Sequence, residues 1–194
     1  QYFFVMDASF TTPTAITYHA STWQRWMAQS VSYLLHPLFV PVVVAWMILY
    51  LHPINTLLTD GPIRLRLLFM VLINSVLFPG VFMALLWGLK FVPNLYLATR
   101  KERIIPLTVS IIFYFWAYYV SRNLEATPVA LHQWLLGVFI ASCGAMFTNI
   151  FLKISLHTIA AGGVLTFFLL QLFQDIHWPM WWLVPIAMLA GLVG

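Results

Sequence analysis

Residues 129–152 read VALHQWLLGVFIASCGAMFTNIFL, 24 positions without one Asp, Glu, Lys or Arg. An uncharged stretch of about 20 residues is long enough to cross the hydrocarbon of a bilayer as an α-helix, the form that satisfies every backbone N–H and C=O within its own segment. Working outward, comparable runs cover Val31–Leu51, Leu67–Leu89, Ile104–Val120 and Ile154–Phe173, with a shorter one from Met180 to Gly194. The last provides only roughly 22 Å of helix against a core of about 30 Å, so it is expected either to be re-entrant or to continue past Gly194. The pattern predicts an all-α, polytopic membrane helix bundle: about six transmembrane helices over residues 30–194, preceded by an N-terminal interfacial arm over residues 1–29. In that arm Trp23 and Trp26 lie three residues apart, a spacing that suits the headgroup level.

Composition gives the same answer. The chain is 62% hydrophobic, 17% aromatic and only 7% charged, which leaves too few ionic groups to cover a soluble globule. A single cysteine, Cys143, excludes a disulfide framework and a thiolate metal cluster, and no carboxylate cluster is present to hold a metal. The net charge of +4 comes from basic residues beside apolar runs, where they set topology and meet anionic headgroups. No basic stripe exists to neutralise a row of phosphates, so nucleic acid is not an expected partner.

Within the spans, polar and small residues carry the detail. Pro37 and Pro41 are expected to loosen the start of the first span, and Asn74-Ser75 with Pro79-Gly80 to interrupt the second, whose polar middle should face protein. Gly137, Ser142, Gly144 and Ala145, and then Ala160 to Gly163, predict close helix contacts; Asn74 and Asn149 read as interhelical hydrogen-bonding groups.

With six spans, the arm, the loop after span two and the loop after span four share one membrane face. Arg25, Lys90, Arg100, Lys101, Arg103 and Lys153 fall on it, against Arg64, Arg66 and Arg122 on the other. Two constellations stand out on the more basic face. Thr99-Arg100-Lys101-Glu102-Arg103-Ile104-Ile105-Pro106 runs a charge cluster straight into an apolar helix. That is either a positive anchor or a phosphate cradle, since basic side chains at a helix N-terminus oppose the dipole unless an anion joins them. Lys153-Ile154-Ser155-Leu156-His157-Thr158 puts a hydroxyl and an imidazole beside a basic residue, a set able to bind an oxyanion and protonate a leaving oxygen. The plainer reading is a membrane histidine hydrogen-bonded to a neighbouring helix. His36, next to Pro37, can join this site or act as a structural partner, while His52 and His132 lie at the opposite face.

At these residues the sequence resembles a bacterial membrane branch of the type-2 phosphatidic-acid phosphatase superfamily. That pattern has three parts: a Lys, six residues, then Arg-Pro; Pro-Ser-Gly-His; and Ser-Arg, five residues, His, three residues, Asp. Arg103-Ile104-Ile105-Pro106 is similar to a relaxed first part, with Tyr96 where the Lys stands, and Ile154-Ser155-Leu156-His157 to a relaxed second. Ser32 to Pro37, Arg100 to Leu107 and Lys153 to Gly163 extend the likeness, and the third part is missing from the sequence, which stops about where that part would begin.

The resemblance implies a phosphatase-like membrane protein of the bacterial inner membrane, acting on a phosphorylated lipid of phosphatidate or prenyl pyrophosphate type through a phosphohistidine intermediate, without a metal or other cofactor. It implies that Arg103 binds phosphate with help from Lys101, that Ser155 hydrogen-bonds a phosphoryl oxygen and that His157 protonates the leaving alkoxide, with Arg100, Lys153 and His36 close by. The nucleophilic His belongs to the missing third part. Two alternatives remain at this point: a catalytically degenerate relative that binds lipid or serves as a structural subunit of a larger membrane complex, and a haem or quinone subunit using His36 with His157, or His52 with His132, as paired ligands.

Overall fold

The computed structural model describes residues 37–91, 100–152 and 155–174; of Arg100 and Lys101 it describes the backbone. The interfacial arm, His36, Lys153 and the run from Met180 to Gly194 lie outside the described residues. Seven α-helices follow in order, α1 (Val40–Tyr50), α2 (Pro53–Leu58), α3 (Gly61–Leu72), α4 (Phe78–Gly88), α5 (Arg100–Asn123), α6 (Val129–Phe151) and α7 (Leu156–Gln174), and no strand occurs among the described residues. A π-helical turn, Ile73–Leu77, joins α3 to α4, so that Gly61–Gly88 is one continuous rod.

Among the described residues four helices are long and apolar enough to cross a membrane: Gly61–Gly88, Glu102–Asn123, Val129–Phe151 and Leu156–Gln174; the described part of the first expected span is the shorter α1. Between 17% and 28% of the most apolar window of each long helix is buried inside the bundle, so most of its apolar side chains point outward. Ile112, Trp116, Phe147 and Phe173 are among those exposed. Such a surface is stable in hydrocarbon and aggregates in water.

The helix boundaries extend several of the expected spans. The second starts at Gly61 instead of Leu67, because Pro62 at the head of the helix costs no hydrogen bond there and supplies a φ that suits a first turn. The third reaches from Arg100 to Asn123, beyond Ile104–Val120: charged and polar residues at span ends have good helix propensity although they are not apolar.

The π-turn has a local cause. Pro79 has no N–H for the carbonyl of Ser75, and its ring would press on that carbonyl in a regular α-helix. One wider turn removes the conflict: the Phe78 N–H bonds to the carbonyl of Ile73, five residues back. The turn buries Asn74 and Ser75, as its polar middle predicts, but Asn74 is not interhelical glue. Its amide N–H donates to the Met70 carbonyl of its own helix at 2.8 Å, and the buried Ser75 hydroxyl has no hydrogen-bond partner among the described residues.

The core lies toward one end of the bundle. Ile48 and Leu49 of α1, Leu67 and Val71 of α3, Ala117 of α5, Leu131, Trp134 and Leu135 of α6, and Phe167 and Phe168 of α7 pack there. These positions fall near the C-terminal end of α1, in the C-terminal halves of α5 and α7, in the first half of the Gly61–Gly88 rod and near the N-terminal end of α6. The Trp134 indole N–H crosses to the carbonyl of Pro41 at 3.1 Å, tying α6 to the proline-bearing first turn of α1. Ser142 and Thr148 return their hydroxyls to the carbonyls of Val138 and Gly144 in their own helix, which lets them face an apolar surrounding.

The glycines do not do what their sequence neighbours predicted. A methyl group added at Gly137, Gly144, Gly162 or Gly163 would meet no other described group within 4 Å. Among the described residues, then, these four glycines make no close helix crossing.

Candidate functional site

Opposite the core end, the heads of α5 and α7 border one large cavity. Its lower wall on α5 is a stripe at helical spacing: Arg103, then Pro106 and Leu107, then Ser110, then Tyr114. Three- and four-residue steps put these side chains on one face of the helix. On α7 the matching stripe begins with Ser155, Leu156 and His157, continues through Ala160 and Gly163, and ends at Phe167 and Gln171. Gly137 and Ala141 of α6, Pro41 of α1 and Met83 of α4 close the sides, and the cavity volume is about 1280 Å³. That exceeds the roughly 300–1,000 Å³ of sites for drug-sized ligands.

The two ends differ chemically from the middle. At the α5 and α7 heads stand a guanidinium, a hydroxyl and an imidazole. Ser155 caps α7: its Oγ accepts the N–H of Thr158 at 3.4 Å, which fixes the first turn with His157 in it. Helix starts direct free N–H groups and positive partial charge outward, so this end of the cavity suits an anion. At the other end the amide N–H of Gln171 donates to Oε1 of Gln133 at 3.0 Å, joining α7 to α6.

Of the site residues expected from sequence, Arg103, Ser155 and His157 border the same cavity although they lie half a hundred positions apart in the chain. Arg100 and Lys101 belong to the first turn of α5, and their side chains are outside the description. Lys153 and His36 lie outside the described residues, so the pairing of His36 with His157 does too. His52 caps α2, accepting the Asn55 N–H on Nδ1 at 3.3 Å. It borders a second, smaller cavity of about 470 Å³ together with Asn55, Thr59, Glu125 and Thr127; His132 borders neither cavity. Among the described residues no three His, Cys, Asp or Glu side chains gather to hold a metal.

Sequence reasoning missed Gln133 and Gln171, which line both cavities. A signal for them exists: each is an amide in an apolar run, and the two sit near the same end of successive spans, where an unpaired amide would be costly in lipid. Tyr114 and the Pro79–Met83 wall of α4 had no such signal, because an aromatic or a proline in a span is ordinary packing.

Comparison of the chain with protein-family models, with curated proteins and with solved structures finds no match.

Proposed function

We propose that this protein is a six-span protein of the bacterial inner membrane that binds a phosphorylated lipid, with the phosphate held at the heads of α5 and α7 and the hydrocarbon tail in the cavity between the helices. The observation that carries this is the shared lining: Arg103, Ser155 and His157 border the same elongated apolar cavity, so one amphiphile can reach a cation, a helix start and an imidazole with its head while its tail stays out of water. A guanidinium fork and helix N–H groups match phosphoryl oxygens. Basic residues at the N-terminus of an apolar helix also serve as topological anchors, and it is the shared cavity that favours the phosphate reading here.

The reaction proposed for this site is phosphate-ester hydrolysis. A nucleophilic imidazole forms an N–P bond as the P–O bond to the lipid alcohol breaks; His157 gives its proton to the departing oxygen, and water then hydrolyses the phosphohistidine to free phosphate. Arg103 offsets the charge that gathers on the equatorial oxygens, the main demand of phosphoryl transfer. The nucleophile is the part of this scheme that the sequence of 194 residues does not contain. A degenerate relative that binds the lipid without turnover is the second reading, favoured by Ile154 and Leu156 where the related pattern has Pro and Gly.

Phosphate release from a vesicle-borne lipid phosphate separates these. Release that falls by two orders of magnitude or more in His157→Ala and Arg103→Ala, the usual scale for loss of a general acid or a charge-stabilising group, supports the enzyme. Tight lipid binding that weakens in Arg103→Ala, with no release by the whole protein when it carries a His and an Asp at the spacing of the third part, supports the binder. Wild-type release or binding in both variants removes the site assignment.

A further inference from the structure

The cavity has a polar far wall, and that wall is shared. Gln133, Gln171 and Gln174 border both the large apolar cavity and the smaller polar one that His52, Asn55 and Glu125 line. The hydrogen bond from Gln171 to Gln133, 3.0 Å long, therefore stands as a partition between two chemically different compartments. Gln171 is 5% exposed, so neither water nor a headgroup competes for its amide. On the apolar side the lining is small midway along: Gly137 and Gly163 would each accept a side chain without touching another described group.

We propose that the Gln133–Gln171 pair is a length stop, so that the cavity takes a hydrocarbon tail of the phosphorylated lipid and selects it by length, with Gly163 keeping the channel open halfway. This rests on the phosphate-binding reading for the head and adds the tail specificity. Helix geometry sets the scale. From His157 to Gln171 are fourteen residues of α7, or about 21 Å of apolar channel at 1.5 Å per residue. A tail that ends short of the pair leaves it intact. A longer one has to part the two glutamines and strand buried amide groups, a loss of roughly tenfold or more in binding. The occupant follows from the wall chemistry: a cation and an imidazole at one end suit an anionic head, and the wall between His157 and Gln171 is uncharged along α7 and mainly apolar, with Ser110, Tyr114, Ser142 and Thr166 as its hydroxyl-bearing members, which suits a hydrocarbon tail.

The test uses octyl, hexadecyl and eicosyl phosphates that carry a photoreactive diazirine at the tip of the tail, with the whole protein in nanodiscs and labelled positions read by mass spectrometry. The octyl tip is expected to label the turn around Gly163, and the hexadecyl tip the turn from Phe167 to Gln171. The eicosyl compound is expected to label that second turn about tenfold less than hexadecyl, and the double variant Gln133→Leu with Gln171→Leu to regain it, since removing both partners leaves no orphaned amide. Gly163→Leu, which favours the helix, is expected to abolish hexadecyl labelling beyond residue 163 and to spare octyl binding. Equal labelling by all three lengths, hexadecyl labelling of Phe167 that persists in Gly163→Leu, or label confined to the outward-facing Ile112 and Trp116, overturns the length stop. The matching alcohols separate this from the head assignment: if they label the same turns as strongly as the phosphates, the tail channel stands and phosphate binding at Arg103 falls.

Discussion

Ser155 has two possible duties at one oxygen, and its chemistry allows them to be separated. Its Oγ accepts the Thr158 N–H, a cap worth about 1 kcal/mol, and the same hydroxyl borders the cavity where a phosphate is proposed to sit. Asp is as good a cap as Ser and suits the positive helix start, yet its charge repels an anion. Ser155→Asp is therefore expected to keep the thermal unfolding midpoint in detergent while lipid-phosphate binding drops by about tenfold or more, the scale of an added like charge at short range. A midpoint and an affinity that fall together would make Ser155 a cap and nothing more. At this scale the sequence was legible where chemistry is rare in its setting: a Ser and a His opening an apolar helix, and an Arg at another's start. It was not legible where a residue type has two ordinary uses. Asn74 was expected to bridge helices, but its amide found the Met70 carbonyl one turn back, the nearest acceptor and the one requiring no partner helix.

The rod from Gly61 to Gly88 shows what a single proline does to an element. Pro79 removes a donor, the helix responds with the π-turn at Ile73–Leu77, and the shift in register sets which residues after it, Gly80 and Met83, reach the cavity. In Pro79→Ala the restored N–H can bond to the Ser75 carbonyl, and the wide turn loses its reason. Amide exchange from Leu77 to Val81 is expected to slow by about tenfold or more, the equivalent of one regained backbone hydrogen bond. Unchanged exchange would mean that packing of the buried Asn74 and Ser75 holds the turn and the proline only tolerates it. Long, strongly apolar elements were readable from sequence because length alone identifies them. The glycines differ from expectation among the described residues for a physical reason: a small residue permits close approach and equally permits a void, and only the position of the neighbouring helix decides between them, while Ala145 is buried.

Across the whole molecule, packing is uneven. Core residues on α5 and α7 gather in the C-terminal halves of those helices, while the heads of α5 and α7 border the cavity. Helices in lipid gain little from burying apolar surface against each other, so directed contacts such as Trp134 to Pro41 and Gln171 to Gln133, typically worth about 0.6 kcal/mol each, make up a larger share of what holds them together. A cavity that lies beside this core can admit an amphiphile between helices without breaking it. That an apolar bundle would form was legible from composition; that its basic and imidazole groups would border one cavity depended on antiparallel spans of nearly equal length, which the run lengths suggested and helix packing determines.

The central claim is that two helix starts, remote in the chain, converge on one head-sized site, and cysteine cross-linking tests it most directly. With Cys143→Ala as background, the pair Arg103→Cys and His157→Cys is treated in membranes with a short bifunctional thiol reagent, beside the control pair Arg103→Cys and Gln174→Cys, whose second member lines the far end of the same cavity. Convergence predicts an intramolecular link in the first pair and none in the control; a first pair that stays unlinked, or that links no better than the control, would contradict it.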